Sequence, residues 1–228
     1  MRLVHASLTA LAIAVLVPAV HAGQQDADRK VAGGGISVPG WKGNVDAAAA
    51  AKGMTVNDSK FVKEGDALRL TVGPATTYWN PANTASGNYT VKGAFRQPKA
   101  SAGHPHPAGI FIGGKDVGTD TQRLMYCVAY PDGTFLVRGF NGKAVFNPVK
   151  RQPNPAVNKA GEDADVTNEV AWMVRDGNAE CQVNGKPVAT LAKADITGAD
   201  KLESTDGVWG LRVSHNMDVI VTGLGVTK

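Results

Sequence analysis

The sequence predicts an all-β protein built as a sandwich of two antiparallel sheets. Short β-rich runs alternate with tight-turn residues along most of the chain, long helix-forming stretches are lacking, and 27 glycines supply turn conformations. Many short strands at regular spacing, with little helix between them, are typical of an antiparallel sandwich or barrel.

Four hairpin signals are the clearest part of this pattern. In each, two β-rich runs flank residues such as Gly, Asn and Asp, which tolerate the positive φ of tight hairpin turns. The paired runs are residues 61–63 with 67–72, 123–130 with 134–140, 168–175 with 179–183, and 179–183 with 186–191.

The N-terminus predicts a secretory signal peptide over residues 1–22. Arg2 gives a basic start, residues 8–17 are apolar, and small residues precede a cleavage site after Ala22. The apolar run is too short to span a bilayer. We therefore expect a secreted or periplasmic protein without membrane insertion.

The remaining chain of about 200 residues is long enough for one sandwich with a substantial core. We expect a flexible lead-in over residues 23–45 and a single domain over residues 46–228. The composition is globular, with 43% hydrophobic and 19% charged residues. Loss of Arg2 with the leader lowers the formal charge from +4 to +3, too little to indicate nucleic-acid binding.

The two cysteines, Cys127 and Cys181, both fall in predicted strands. An oxidising compartment favours a disulfide between them. Two small buried residues that never meet are the alternative, because sequence spacing cannot place their Cα atoms within reach.

Several other segments are expected to be irregular. Residues 46–53 form a short helix candidate, with Asp46 as N-cap and Gly53 as its end, or a simple loop. The aromatic segment from Tyr78 is expected to end in a turn at Pro81. Residues 149–167 are expected to make a long excursion over one edge of the sheets.

The order of several motifs resembles that of a known family. The motifs are Tyr78-Trp79-Asn80-Pro81 and residues 87–96, 108–113, 169–174, 180–188 and 207–215. This succession is similar to that of 3-keto-disaccharide hydrolase-like domains, members of the concanavalin A-like lectin/glucanase superfamily. The resemblance covers residues 60–228 and implies a curved jelly roll that binds or acts on sugars outside the cytoplasm. Fold analogy alone does not establish function.

Glycoside hydrolysis usually needs two carboxylates across the scissile bond. Asp163, Asp165 and Glu169 have the even spacing that aims side chains to one face of a strand. The first half of this run has the composition of a solvated acidic loop, which is the alternative to a catalytic role. The same acids are also suited to calcium.

Three histidines are candidates for a general base or for metal ligands. His104 and His106 lie in a Pro- and Gly-containing loop, and His215 lies near the end of a strand. Exposed loop histidines are the alternative. We expect neither a metal nor an obligatory cofactor.

A sugar-binding surface needs aromatic rings and planar polar groups. The candidates are Tyr78, Trp79, Asn80, Arg96, Arg138, Gln182 and Arg212. The four residues from Arg96 onward would line one open sheet face if their strands share one sheet. Trp172 and Trp209 alternate with apolar residues, which favours the core for both.

These observations predict an exported carbohydrate-binding protein that acts on extracytoplasmic glycans or glycosides. A glycoside hydrolase of the 3-keto-disaccharide type is the alternative, with one of the acids or loop histidines as general acid or base. A structural or adhesive envelope protein is a third interpretation. Whether the chain is an enzyme stays open.

Overall fold

The computed structural model describes residues 26–101, 103–161 and 163–228. The predicted signal peptide lies outside the described residues. Fifteen strands, two four-residue α-helices and a short 3-10 helix (Val56–Asp58) are present in the described part of the chain. The strands are β1 (Gly35–Ile36), β2 (Lys42–Val45), β3 (Lys60–Glu64), β4 (Ala67–Val72), β5 (Thr76–Ala85), β6 (Tyr89–Ala100), β7 (Ala108–Lys115), β8 (Arg123–Ala129), β9 (Thr134–Asn141), β10 (Ala144–Pro153), β11 (Ala164–Arg175), β12 (Asn178–Val183), β13 (Lys186–Ala192), β14 (Gly207–Val213) and β15 (Met217–Thr227). The α-helices are α1 (Ala47–Ala50) and α2 (Lys193–Ile196).

The strands form two sheets, which confirms the predicted all-β sandwich. The eight-stranded sheet has the order β1-β3-β4-β15-β6-β11-β12-β13, and the seven-stranded sheet has the order β10-β9-β8-β7-β14-β5-β2. All neighbours are antiparallel except β1 and β3. The two last strands lie inside the sheets, since β15 separates β4 from β6 and β14 separates β7 from β5.

All four predicted hairpins are confirmed by strand pairing. They are formed by β3 with β4, β8 with β9, β11 with β12, and β12 with β13. The turn residues Asp176 and Asn184 have φ of 47° and 51°, and the glycines after them have φ of 82° and 74°. These are the left-handed conformations that a two-residue hairpin turn requires.

The core lies between the sheets and confirms the inward assignment of two tryptophans. Trp172 is fully buried and Trp209 is 5% exposed. The Trp172 indole Nε1 donates to the Ile110 carbonyl at 3.0 Å, which satisfies its polar group within the core. Phe61 contacts Trp41 and Tyr78 edge to face, with centroid distances of 5.2 and 5.1 Å.

A disulfide joins Cys127 on β8 to Cys181 on β12. Both cysteines are fully buried in the core, and their Cα atoms are 6.2 Å apart. The bond therefore links the two sheets to each other. Of the two alternatives that the sequence left open, the disulfide is the correct one.

Three segments differ from the sequence prediction. Residues 23–45, predicted as a flexible lead-in, contain β1 and β2, which pair with β3 and β5. Strand β5 continues through Pro81 instead of ending there, because Pro81 lies where the β5–β14 register shifts and no ladder hydrogen bond is needed. Residues 149–153 belong to β10, an edge strand that tolerates proline, so the irregular connection to β11 is shorter than expected.

The described part of the chain contains no helix with the length and apolar character needed to cross a membrane. The predicted leader is not covered by this finding.

Candidate functional site

The principal cavity lies on the face of the seven-stranded sheet that points away from the core, which we call the outer face. It has a volume of about 620 Å³. We call it the outer pocket. Its floor is made by side chains of β8, β9 and β14, and its walls by α1, the loop before β7, the residues after β14 and the N-terminal segment 26–28. The floor residues are Tyr126, Val128, Leu136, Arg138 and Arg212.

The alternation of side chains along each strand explains which residues form the floor of the outer pocket. In β8, Met125 and Cys127 point into the core, so Tyr126 and Val128 point to the outer face. The outer side chains form their own hydrophobic cluster, made of Trp79, Phe111, Leu124, Tyr126, Val128 and Leu136. The outer face of this sheet is thus partly apolar, which a ligand with an apolar surface can use.

A buried ion pair crosses the pocket between β14 and α1. Arg212 Nη1 and Nη2 donate to Asp46 Oδ1 and Oδ2 at 2.6 and 2.5 Å. The Arg212 side chain is 10% exposed and the Asp46 side chain is 36% exposed. Burial alone lowers the pKa of Arg212, but the charge and hydrogen bonds of Asp46 more than reverse this, so the pKa lies above its ordinary value.

This ion pair also explains why α1 lacks a side-chain cap. Asp46 stands at the predicted N-cap position, and the helix begins at Ala47. Its side chain makes no capping hydrogen bond, because the carboxylate faces Arg212 instead. The Arg212 guanidinium carbon also lies 5.4 Å from the ring centroid of Tyr126, so the cation rests against an aromatic floor residue.

Two of the three candidate histidines meet at the pocket wall. The rings of His106 and His215 are in edge-to-face contact with a centroid distance of 4.6 Å. His215 Nδ1 lies 2.7 Å from Asp28 Oδ1. Burial, followed by the charge of His215, lowers the pKa of His106 below its ordinary value. The neutral form of His106 is therefore favoured more than that of an exposed imidazole.

The third candidate, His104, also lines the outer pocket but contacts neither of the other two rings. Within the described residues, no three His, Cys, Asp or Glu side chains gather closely enough to hold a metal ion. The histidines are thus arranged as a pair with a carboxylate partner. Proton transfer or hydrogen bonding is the chemistry that this arrangement supports.

The N-terminal segment is fixed in place by polar contacts of Arg29. The Arg29 guanidinium donates to the Val72 and Met217 carbonyls, each at 3.0 Å, and pairs with Asp218 at 2.8 Å. These contacts hold Asp26 and Asp28 at the pocket wall. A segment that the sequence assigned to a flexible lead-in therefore contributes to the site.

A second aromatic side chain, Tyr130, stands at the pocket rim. The guanidinium carbon of Arg151 lies 3.9 Å from the Tyr130 ring centroid, and Arg151 Nη2 donates to Asp132 at 2.6 Å. Burial raises the pKa of Asp132, but hydrogen bonds from Thr134 and the charge of Arg151 outweigh it, so the pKa lies below its ordinary value. This network orders the rim next to Tyr130.

The structure does not bring the predicted sugar-binding residues together in one place. Arg138 and Arg212 share the floor of the outer pocket. Arg96 and Gln182 lie on β6 and β12 of the other sheet, so the four residues do not share one face. Arg96 pairs there with Asp165.

The predicted aromatic cluster does not line the outer pocket. Tyr78 is fully buried between the sheets. Trp79 lies on the outer face but is 8% exposed, because the loop after β7 covers it. A Cβ on Gly118 in that loop would come within 2.5 Å of the Trp79 indole, so only glycine fits there. Asn80 lies outside the pocket, and its Oδ1 accepts from the Ala82 amide at 3.0 Å.

The predicted acids lie on the other sheet. Asp165 and Glu169 belong to β11, where they pair with Arg96 and Lys92 on β6. Asp163 is exposed in the turn just before β11, with φ of 47°. The structure therefore does not bring these acids to the histidines.

Sequence reasoning did not single out Tyr126, Tyr130 or Asp28 as site residues. Tyr126 could have been predicted to point away from the core, because it is next to Cys127 in a predicted strand and neighbouring strand residues point to opposite faces. Asp28 carries no such signal, because its position depends on contacts that are distant in sequence.

No protein-family model matches this sequence, and no curated protein matches it. Among solved structures, the chain is similar to the carbohydrate binding module CBM66 from Bacillus subtilis, with a TM-score of 0.57 and 7% identity over 85% of this chain and 99% of that one. It is also similar to a protein of unknown function with a galectin-like fold from Bacillus subtilis, with a TM-score of 0.53 and 14% identity over 82% of this chain and 88% of that one. At these identities the likeness shows the fold alone, a jelly-roll β-sandwich.

Proposed function

We propose that this chain is an exported carbohydrate-binding protein whose saccharide ligand occupies the outer pocket. The observation that carries the proposal is the composition of the pocket. Tyr126 and Tyr130 stand beside the guanidinium groups of Arg138 and Arg212 in one cavity of about 620 Å³. Cavities of roughly 300–1,000 Å³ are typical of small-ligand sites.

The half-buried Tyr130 ring and the guanidinium groups match the two kinds of surface on a sugar ring, while Tyr126, which is 5% exposed, belongs to the pocket floor. The apolar face of a pyranose stacks on an aromatic side chain, while its hydroxyls need donors and acceptors at fixed positions. Arg212 is held by Asp46, so its orientation is set before a ligand arrives. A preorganised polar group loses little conformational entropy on binding. The likeness to a carbohydrate binding module supports the same proposal at the level of the fold.

Filling the outer pocket should abolish binding without disturbing the core. Ala48 on α1 lines the pocket and is exposed. We expect Ala48→Trp to weaken binding of an array-identified glycan at least tenfold, about 1.4 kcal/mol. The measurement is titration calorimetry with the glycan that gives the strongest signal on an array.

Ala50→Trp is the matched control, because Ala50 lies on the same helix and is exposed but does not line the pocket. It should bind as the wild type does. Equal affinity of the two variants would place the site elsewhere, and the lack of any array signal would overturn the proposal itself.

Export is part of the proposal. The apolar leader over residues 8–17 and the buried disulfide support it, because structural disulfides persist in oxidising compartments. Secretion and a periplasmic location fit these features equally.

A glycoside hydrolase of the 3-keto-disaccharide type is the second candidate. The observation that favours it is the His215–Asp28 pair next to His106 in the same pocket. A carboxylate that orients an imidazole is a common arrangement for a general base. This pair replaces Asp163, Asp165 and Glu169 as the catalytic candidates, since those acids lie on the other sheet.

The mixtures of protein and glycan from the calorimetric titrations also test this second candidate. Hydrolysis would release sugar with the wild type and not with His215→Gln, while the variant still binds. If the wild type binds the glycan but releases no sugar, the hydrolase candidate is rejected and carbohydrate binding remains as the proposed function.

A further inference from the structure

The three acidic side chains of the outer pocket are each engaged by a protein group. Their carboxylates accept hydrogen bonds or ion pairs at 2.5 to 3.0 Å. The partners are Arg212 for Asp46, His215 for Asp28 and Asn216 for Asp26. Of the three carboxylates, that of Asp46 is paired with a permanent cation, while those of Asp26 and Asp28 are held by hydrogen bonds from Asn216 and His215.

Two basic side chains of the pocket have no carboxylate partner among the described residues. Arg138 Nε donates to the neutral amide oxygen of Asn147 at 2.8 Å. In the described part of the chain, no carboxylate lies within 4.0 Å of the Arg138 guanidinium or of Lys52, which also lines the pocket. The pocket thus presents two cations that lack a protein counter-charge.

Arg138 is placed where a bound sugar would meet it. It stands directly opposite Tyr126 in the β8–β9 register, so both side chains leave the same face of the sheet side by side. It is partly buried on the pocket floor. The pKa of Tyr130 at the rim is raised by burial, while the charges of Arg151 and Arg138 act in the opposite direction. Arg138 therefore influences both tyrosines of the pocket.

We infer that the ligand is an acidic saccharide whose uronate carboxylate pairs with Arg138, an inference that rests on the carbohydrate-binding function proposed above. A guanidinium fork matches a carboxylate with two parallel hydrogen bonds. Nη1 and Nη2 of Arg138 make no hydrogen bond to the described protein and are available for this fork. A neutral sugar would cover this cation without compensating its charge, which is unfavourable.

The overall charge favours the same class of ligand. The formal net charge is +4 at pH 7 for the full sequence and +3 without Arg2 of the predicted leader, and an excess of positive charge accelerates the approach of anionic ligands. The preference for an acidic ligand should therefore decrease as salt screens the interaction.

The test compares saccharides that differ only in charge. We would titrate the wild type with trigalacturonate and its neutral trimethyl ester, and with a xylo-oligosaccharide with and without a glucuronate branch. At least one acidic member should bind ten times more tightly than its neutral partner. Arg138→Gln should lose this preference, and Arg96→Gln, which changes an arginine on the other sheet, should keep it. Thermal unfolding of both variants checks that they are folded.

Two results would overturn the inference. One is equal affinity for the acidic and neutral members of every pair, or a preference that persists in Arg138→Gln. The other is binding of only neutral glycans, or of only sulfate esters such as a sulfated galactan. Either outcome would show that Arg138 does not recognise a uronate carboxylate, while the proposed carbohydrate-binding function would stand. If no saccharide on the array or in these pairs binds, the proposed function fails along with the inference.

Discussion

Asp46→Asn should lower the free energy of unfolding by about 3 kcal/mol. The substitution removes the counter-charge of Arg212, a side chain that is only 10% exposed, and leaves an uncompensated cation in the sheet. Breaking a fully buried pair costs about 3–5 kcal/mol, and the lower end applies because the Asp46 side chain is 36% exposed to solvent. Urea unfolding followed by tryptophan fluorescence measures the change.

A double variant separates the loss of the ion pair from the free-energy cost of leaving the Arg212 cation buried without a partner. Asp46→Asn combined with Arg212→Met should be more stable than Asp46→Asn alone, because no buried cation remains. Arg96→Gln is the matched control, since the Arg96–Asp165 pair is exposed, and it should leave stability unchanged. A double variant no more stable than Asp46→Asn would contradict this explanation.

Removal of the disulfide should have an effect of similar size. Cys127 and Cys181 are 54 residues apart, and closing a loop of that length stabilises the fold by about 4 kcal/mol in the chain-entropy model. For a domain of this size, that loss corresponds to a melting temperature lowered by roughly 10 °C. Calorimetry of the Cys127→Ala, Cys181→Ala double variant measures it.

Reduction of the wild type supplies the control. A phosphine reductant should lower the melting temperature of the wild type and have no effect on the double alanine variant. If the wild type keeps its melting temperature after complete reduction, shown by thiol titration of unfolded protein, the disulfide does not stabilise the fold as described.

The hairpins were predictable because their signals are local. A turn such as Asn184-Gly185 specifies its own backbone conformation, and the alternation of β12 then follows from the core positions on either side. The insertion of the last two strands between earlier ones, with β14 between β7 and β5, could not be predicted, because non-local strand order leaves no local signal.

The site was predicted only in part for the same physical reason. Alternation correctly placed Arg138 and Arg212 on a face opposite the apolar side chains, but it does not say which sheet a strand joins. Arg96 and Gln182 have the same parity and lie on the other sheet. Asp165 and Glu169 have the even spacing that a catalytic pair shows, and their charges are instead paired with Arg96 and Lys92.

The histidines show where local reasoning stops. The sequence suggested that His215 could join His104 and His106, and the structure brings His215 to His106 alone. The group that orients His215 is Asp28, which is 187 residues away in the sequence. Two residues so far apart in the sequence come into contact only when the whole sandwich has formed and Arg29 anchors the N-terminal segment.

Amide chemical-shift mapping by NMR tests most directly whether a saccharide binds in the outer pocket. The isotopically labelled protein is titrated with the glycan that gives the strongest array signal. We predict the largest shifts at the floor of the pocket, at Tyr126, Val128, Leu136, Arg138 and Arg212. Shifts confined to the other sheet, around Lys92, Arg96 and Gln182, would contradict the account.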